Sequence, residues 1–130
     1  MQIAYVDTSC LAAIAFSEPG WEAVAARMAR FDILVASNLL EAELRSALVR
    51  NGCQVDPGAL LATITWIHPD RALSPEYIRV LATGPLRGAD LAHLACALYL
   101  SPQPAELAFV TLNVQQGAVA GAVGFPTDAA

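Results

Sequence analysis

The sequence predicts an α/β domain in which strands alternate with helices, and three observations carry that reading. The stretch Met1 to Ser9, MQIAYVDTS, is a short apolar run suited to a buried strand; it ends in one aspartate and two hydroxyl residues and leads straight into the apolar, helix-like CLAAIAF. Leu107 to Thr111, LAFVT, repeats the design late in the chain and runs out into Thr111 and Asn113. At 130 residues, 56% of them apolar, the chain is long enough for one core and too short for two comfortable domains.

In chain order, the first strand delivers Asp7 to its carboxyl end, the edge at which ligands bind in open parallel α/β sheets. Ser9 is placed to cap a helix reaching about Phe16, which Ser-Glu-Pro-Gly at 17–20 breaks. Trp21, Val24, Ala25 and Met28 then recur on one helical face. Phe31 to Ala36 is the second strand, and Ser37 is placed to cap a helix over Asn38 to Arg50. Asn51-Gly52 ends that helix. Asp56-Pro57 opens another, expected to run to about Ile67 and to present Leu60, Leu61, Ile64 and Ile67 to the core. Arg71 to Leu73 reads as a minor strand, and Ser74-Pro75 starts a helix to Ala82. Leu86 to Leu100 is a long helix with Leu91, Leu94, Ala95 and Leu98 as its stripe. An alanine-rich helix to about Ala122, Gly124 as its cap and Phe125-Pro126 as an edge strand finish the domain.

Charge narrows the function classes. All seven basic residues are arginine, which removes the P-loop and argues against phosphoaspartate folds that set a lysine beside the nucleophilic carboxylate. A net charge of −5 is the wrong sign for phosphate binding, unless a divalent ion in an acidic pocket inverts it locally. Cys10, Cys53 and Cys96 are odd in number and unrelated in spacing, so they read as buried free thiols. No apolar run approaches the ~20 residues of a membrane helix. With no basic start or signal cleavage site, the expected location is the cytoplasm.

Two helices hold the informative acids. At ~100° per residue, Glu41 and Glu43 point in nearly opposite directions. Glu41 stands four residues before Arg45, the favourable order for a surface ion pair. Glu43 instead shares a face with Leu40, Leu44 and Ala47, and a buried carboxylate there needs either an arginine or a metal ion. Asp90 lies at the N-terminal margin of its helix's apolar stripe, either as a first-turn acid favoured by the helix dipole or as a further site acid. His93 is on nearly the same face, and a packed, hydrogen-bonded role suits it better than ligation. If the sheet is parallel, Asp7, Glu43 and Asp90 converge. Oxygen-only donors imply a hard cation, magnesium or manganese, which serves water-mediated phosphodiester hydrolysis.

At these residues the chain resembles a known family. Asp7-Thr8-Ser9, Ser37-x5-Glu43-Leu44, Arg87-x2-Asp90-x2-His93-Leu94-Ala95 and Phe109-Val110-Thr111-Leu112-Asn113 are similar, in order and spacing, to the motifs of PIN-domain ribonucleases, above all the VapC-like toxins of type II toxin-antitoxin pairs. The resemblance implies one domain over residues 1–130, a central parallel sheet of four to five strands with helices on both sides, and a Mg2+ or Mn2+ site. It also implies cleavage of RNA, a homodimer and a cognate antitoxin protein. Carried over, Asp7, Glu43 and Asp90 are the catalytic, metal-binding acids, with Ser9, Thr111 and Asn113 in support. Asn113 stands where the family usually has a fourth acid. It offers an oxygen but removes a charge, so metal affinity is expected to be weaker and activity reduced. Arg45, Arg50 and Arg87 are available to phosphates.

A competing reading keeps the fold and loses the chemistry: a catalytically weakened binding module acting through dimerisation or antitoxin binding. A receiver or phosphatase domain is disfavoured by the missing lysine and by Ser9 standing where a second strand-end acid is expected.

Overall fold

The computed structural model describes residues 1–127; Asp128 to Ala130, the end of the expected domain, lie outside the described residues. Four strands, β1 (Ile3–Val6), β2 (Ile33–Ser37), β3 (Ile64–Ile67) and β4 (Ala108–Val110), form one sheet in the order β3-β2-β1-β4, every pairing parallel. The strand number and parallel arrangement agree with expectation. Among the described residues, seven α-helices flank the sheet: α1 (Thr8–Ala15), α2 (Trp21–Met28), α3 (Leu39–Arg50), α4 (Gly58–Leu61), α5 (Ser74–Leu81), α6 (Gly88–Leu100) and α7 (Val114–Val123). They pack in two groups, α1 with α2 and α3, and α5 with α6 and α7. Among the described residues, no helix is long and apolar enough to cross a membrane.

The chain builds outward from β1 through β2 to β3, then returns to place β4 on the other side of β1. Strand order therefore reverses between β1 and β4, and a crevice opens at their carboxyl ends. The Asp7 N–H donates to the Val110 carbonyl at 3.0 Å, so the last bond of that pairing fixes the backbone of the residue at the crevice.

Around the sheet, a single core gathers Tyr5, Leu11, Leu40, Leu44, Leu94 and Phe109, all essentially inaccessible. Tyr5 stacks on Phe109 with ring centroids 5.3 Å apart and planes 5° from parallel, and Phe125 tilts against Phe109 at 5.9 Å. Cys10 and Cys96 are buried free thiols as expected, pushed by that burial up to about 12 and about 11, and so stay protonated and inert at neutral pH. Cys53 is free but only half-buried.

Four local expectations are corrected. The helix opened by Asp56-Pro57 stops at Leu61, and Ile64–Ile67 is the edge strand β3. Leu60, Leu61, Ile64 and Ile67 satisfy a helical period, but the β-branched and aromatic run TITWI suits a pleated surface, and pairing with β2 decides the matter. Arg71 to Leu73 forms no strand; Arg71 makes a two-pronged pair with Glu76, at 2.8 and 2.7 Å, and lies over the Tyr99 ring. Ser9 does not cap α1, because Asp7 does. Phe125-Pro126 makes no strand, only the Phe109 N–H to Pro126 carbonyl bond and a parallel bridge from Phe109 to Thr127. Arg45 Nε meets Glu41 at 2.7 Å and Gly124 ends α7 with φ of 122°, as expected. The N-caps of α3 and α4 are Asn38 and Pro57, each one residue past the expected Ser37 and Asp56, whose side chains still accept the N–H of Leu39 and of Gly58.

Candidate functional site

Each expected site residue reaches the crevice by a separate route. Asp7 follows β1 directly and is 4% exposed; its Oδ2 accepts the Ser9 N–H, so one carboxylate both starts α1 and faces the strand ends. Placing an acid at a helix N-terminus offsets part of the cost of burying it. Glu43 projects from the second turn of α3, one residue before fully buried Leu44, with its side chain 30% exposed. Asp90 stands in the first turn of α6 and is half-buried.

Protein donors other than arginine hold Glu43. Its Oε1 accepts from Thr8 Oγ1 at 2.7 Å and from His93 Nε2 at 2.6 Å, and the same Nε2 lies 3.8 Å from Asp7 Oδ1. Burial works to raise the Glu43 carboxyl, but the bonds from His93 and Thr8 outweigh it and hold the group below its ordinary value. Asp90 moves the other way: burial, then the negative charges of Asp7 and Glu43, raise its carboxyl. Asp90 thus lies in the field of the other two acids.

The supporting residues tie β4 to this edge. Ser9 Oγ accepts the Leu112 N–H at 3.0 Å and lies 3.4 Å from Thr111 Oγ1. Thr111 Oγ1 stands 3.1 Å from Asp7 Oδ2 and 2.7 Å from Gln116 Oε1, one hydroxyl proton between two acceptors. Asn113 departs from the role of oxygen donor: its Oδ1 caps α7 by accepting the Gln116 N–H, and its Nδ2 points at Asp90 Oδ2, 3.3 Å away. A helix terminus claims the oxygen, and the amide faces the acids as a neutral donor.

Sequence reasoning missed Tyr5, Thr8 and Gln116 as participants. Gln116 is fully buried on α7, with Nε2 donating to the Asp90 carbonyl at 3.2 Å, so it braces Thr111 against α6. Its one sequence signal is the spacing Asn113-x-x-Gln116, the glutamine position of a capping box, although the side chain turns elsewhere. Gln116→Leu removes two buried bonds, to the Asp90 carbonyl and from Thr111, and is expected to cost about 1–3 kcal/mol in urea unfolding. A loss under about 0.5 kcal/mol would refute the bracing role.

Among the described residues, no three acidic, histidine or cysteine side chains stand close enough to enclose an ion as they are. The donor set nonetheless fits a hard divalent ion that keeps much of its water and needs only one or two carboxylates, because Asp7 and Glu43 both approach His93 Nε2 and their charges help raise the Asp90 carboxyl. His93 and then Arg87, just before α6, partly offset that rise. Arg45 is taken by Glu41. A groove of about 440 Å3 lined by Ile14, Met28, Phe31, Leu34 and Leu60 lies apart and includes none of the three acids.

Comparison with protein families matches the model for the PIN domain to residues 4–102, from β1 to just beyond α6. Asp7, Glu43 and Asp90 fall within the match; Thr111, Asn113 and Gln116 lie after it. No curated protein matches the chain.

Proposed function

The chain belongs to the PIN domain family, and on that premise we propose that it is a metal-dependent endoribonuclease, the toxin of a toxin-antitoxin pair acting in the cytoplasm as a homodimer. PIN domains are generally nucleases and typically use divalent metal ions. What supports the reading is that Asp7 and Glu43 both approach His93 Nε2, at 3.8 and 2.6 Å, where strand order reverses, and that their charges help raise the Asp90 carboxyl. A bound magnesium or manganese ion would supply an activated water and neutralise charge on the phosphate. Asp7 and Asp90 would hold it. Glu43, whose Oε1 is committed to Thr8 and His93, has Oε2 to offer as a third oxygen. The Ser9 N–H and the Thr111 hydroxyl, both donating to Oδ2, hold the Asp7 carboxylate.

The purified protein incubated with a structured RNA is expected to cut it internally with Mg2+ or Mn2+ and to stop when EDTA removes the ion. Equal cutting with and without EDTA, or none with either metal, would end the nuclease reading.

Two observations favour a second reading, a binding module with a weakened site: Glu43 is held by protein donors, and the Asn113 oxygen is spent on a helix cap. Restoring the fourth acid distinguishes them. Asn113→Asp keeps a capping oxygen and replaces the amide facing Asp90 with a carboxylate, so Mn2+ affinity and cleavage are both expected to rise, by about tenfold for ~1.4 kcal/mol of added attraction. If metal titration and cleavage both stay unchanged, Asn113 does not limit the site.

A further inference from the structure

Building on the nuclease reading, we propose that the backbone of Ser37 and the side chains of Tyr5 and His93 form a buried, one-way hydrogen-bond relay that places the His93 proton on Nε2 and thereby positions Glu43. Its direction follows from which atoms can donate. The Ser37 N–H can only donate, and it meets Tyr5 Oη at 3.0 Å. That oxygen already accepts, and the neighbouring Cys96 thiol is only a weak acceptor, so the protonated Tyr5 hydroxyl sends its own proton to His93 Nδ1 at 2.7 Å. Nδ1 is then the bare nitrogen and the ring proton sits on Nε2, 2.6 Å from Glu43 Oε1.

Tyr5 and His93 are both fully buried, so water cannot substitute for a missing partner. With the other tautomer, the Nε2 lone pair would face the Glu43 carboxylate and repel it. The relay links the end of β2, the middle of β1, the interior of α6 and the exposed margin of α3. His93 is a positioning residue in this scheme: it acts on the reaction through Glu43, in the way outer partners orient metal-binding groups.

Nitrogen NMR on protein carrying 15N-labelled histidine tests this directly, because the chain has two histidines and the other, His68, is exposed. Metal-free wild type is expected to show a proton-bearing Nε2 and a bare Nδ1 on His93. A proton on Nδ1, alone or together with Nε2, at neutral pH overturns the relay. Mn2+ titration by calorimetry supplies the second readout. Tyr5→Phe and His93→Leu are expected to weaken binding about 10–100-fold, the usual cost of losing an outer partner. His93→Gln, which keeps an N–H donor, should recover most of it. Wild-type affinity in Tyr5→Phe and His93→Leu would overturn the positioning role. A wild type with the expected tautomer that binds no Mn2+ would sink the nuclease reading while supporting the relay.

Discussion

Asp7→Asn is expected to lower metal-dependent RNA cleavage by about 10³-fold while leaving the fold intact. Asparagine preserves the shape of the residue and is as good a helix cap as aspartate, so the start of α1 and the acceptance of the Ser9 N–H survive. What disappears is the charge at the position where β1 and β4 part. Metal-ion stabilisation of transition-state charge amounts to several kcal/mol, and about 4 kcal/mol corresponds to about 10³ in rate. Single-turnover cleavage at saturating Mg2+, with thermal unfolding of the same sample, measures both halves of the expectation. Activity within tenfold of wild type in a folded Asp7→Asn protein would remove Asp7 from the chemistry. Loss of activity together with loss of folding would show that the carboxylate is needed for structure first.

Phe109→Ala is expected to produce the largest loss of stability, about 3–5 kcal/mol, the range for emptying a buried aromatic position. Phe109 is 1% exposed, stacks face to face on Tyr5 and leans on Phe125. It sits in a strand of only three residues, so little backbone pairing compensates for the missing ring. Against the ~5–15 kcal/mol that typically separates folded from unfolded domains, such a change brings the protein near the edge of folding. Urea unfolding followed by circular dichroism gives the number, and a loss below about 1 kcal/mol would mean that the site collapses around the gap. The same ring backs Tyr5, so the deletion is also expected to loosen the hydrogen bond from Tyr5 to His93.

Much of this protein is legible one segment at a time, because the signals involved act over one to four residues. The Glu41–Arg45 ion pair, the side-chain bonds of Ser37 and Asp56 to the N–H two residues on and the glycine at the end of α7 are all of that kind. Segment 64–67 shows the limit. Its apolar spacing suits a helix as well as a strand, and no local feature reveals that β2 has an open edge waiting for it. Ser9 erred for a related reason: serine and aspartate are both good caps, and which one faces the helix depends on where β1 ends.

The amino-acid order alone determined the α/β alternation, the two strand ends that carry Asp7 and Thr111, and the presence of Glu43 on an otherwise apolar helical face, since periodicity and chain breakers are properties of neighbouring residues. Tertiary structure alone decided the partners. Glu43 meets His93 across 50 residues, His93 meets Tyr5 across 88 and Asp7 meets Thr111 across 104. A buried polar group must find its complement wherever packing brings one, and no stretch of sequence records that choice.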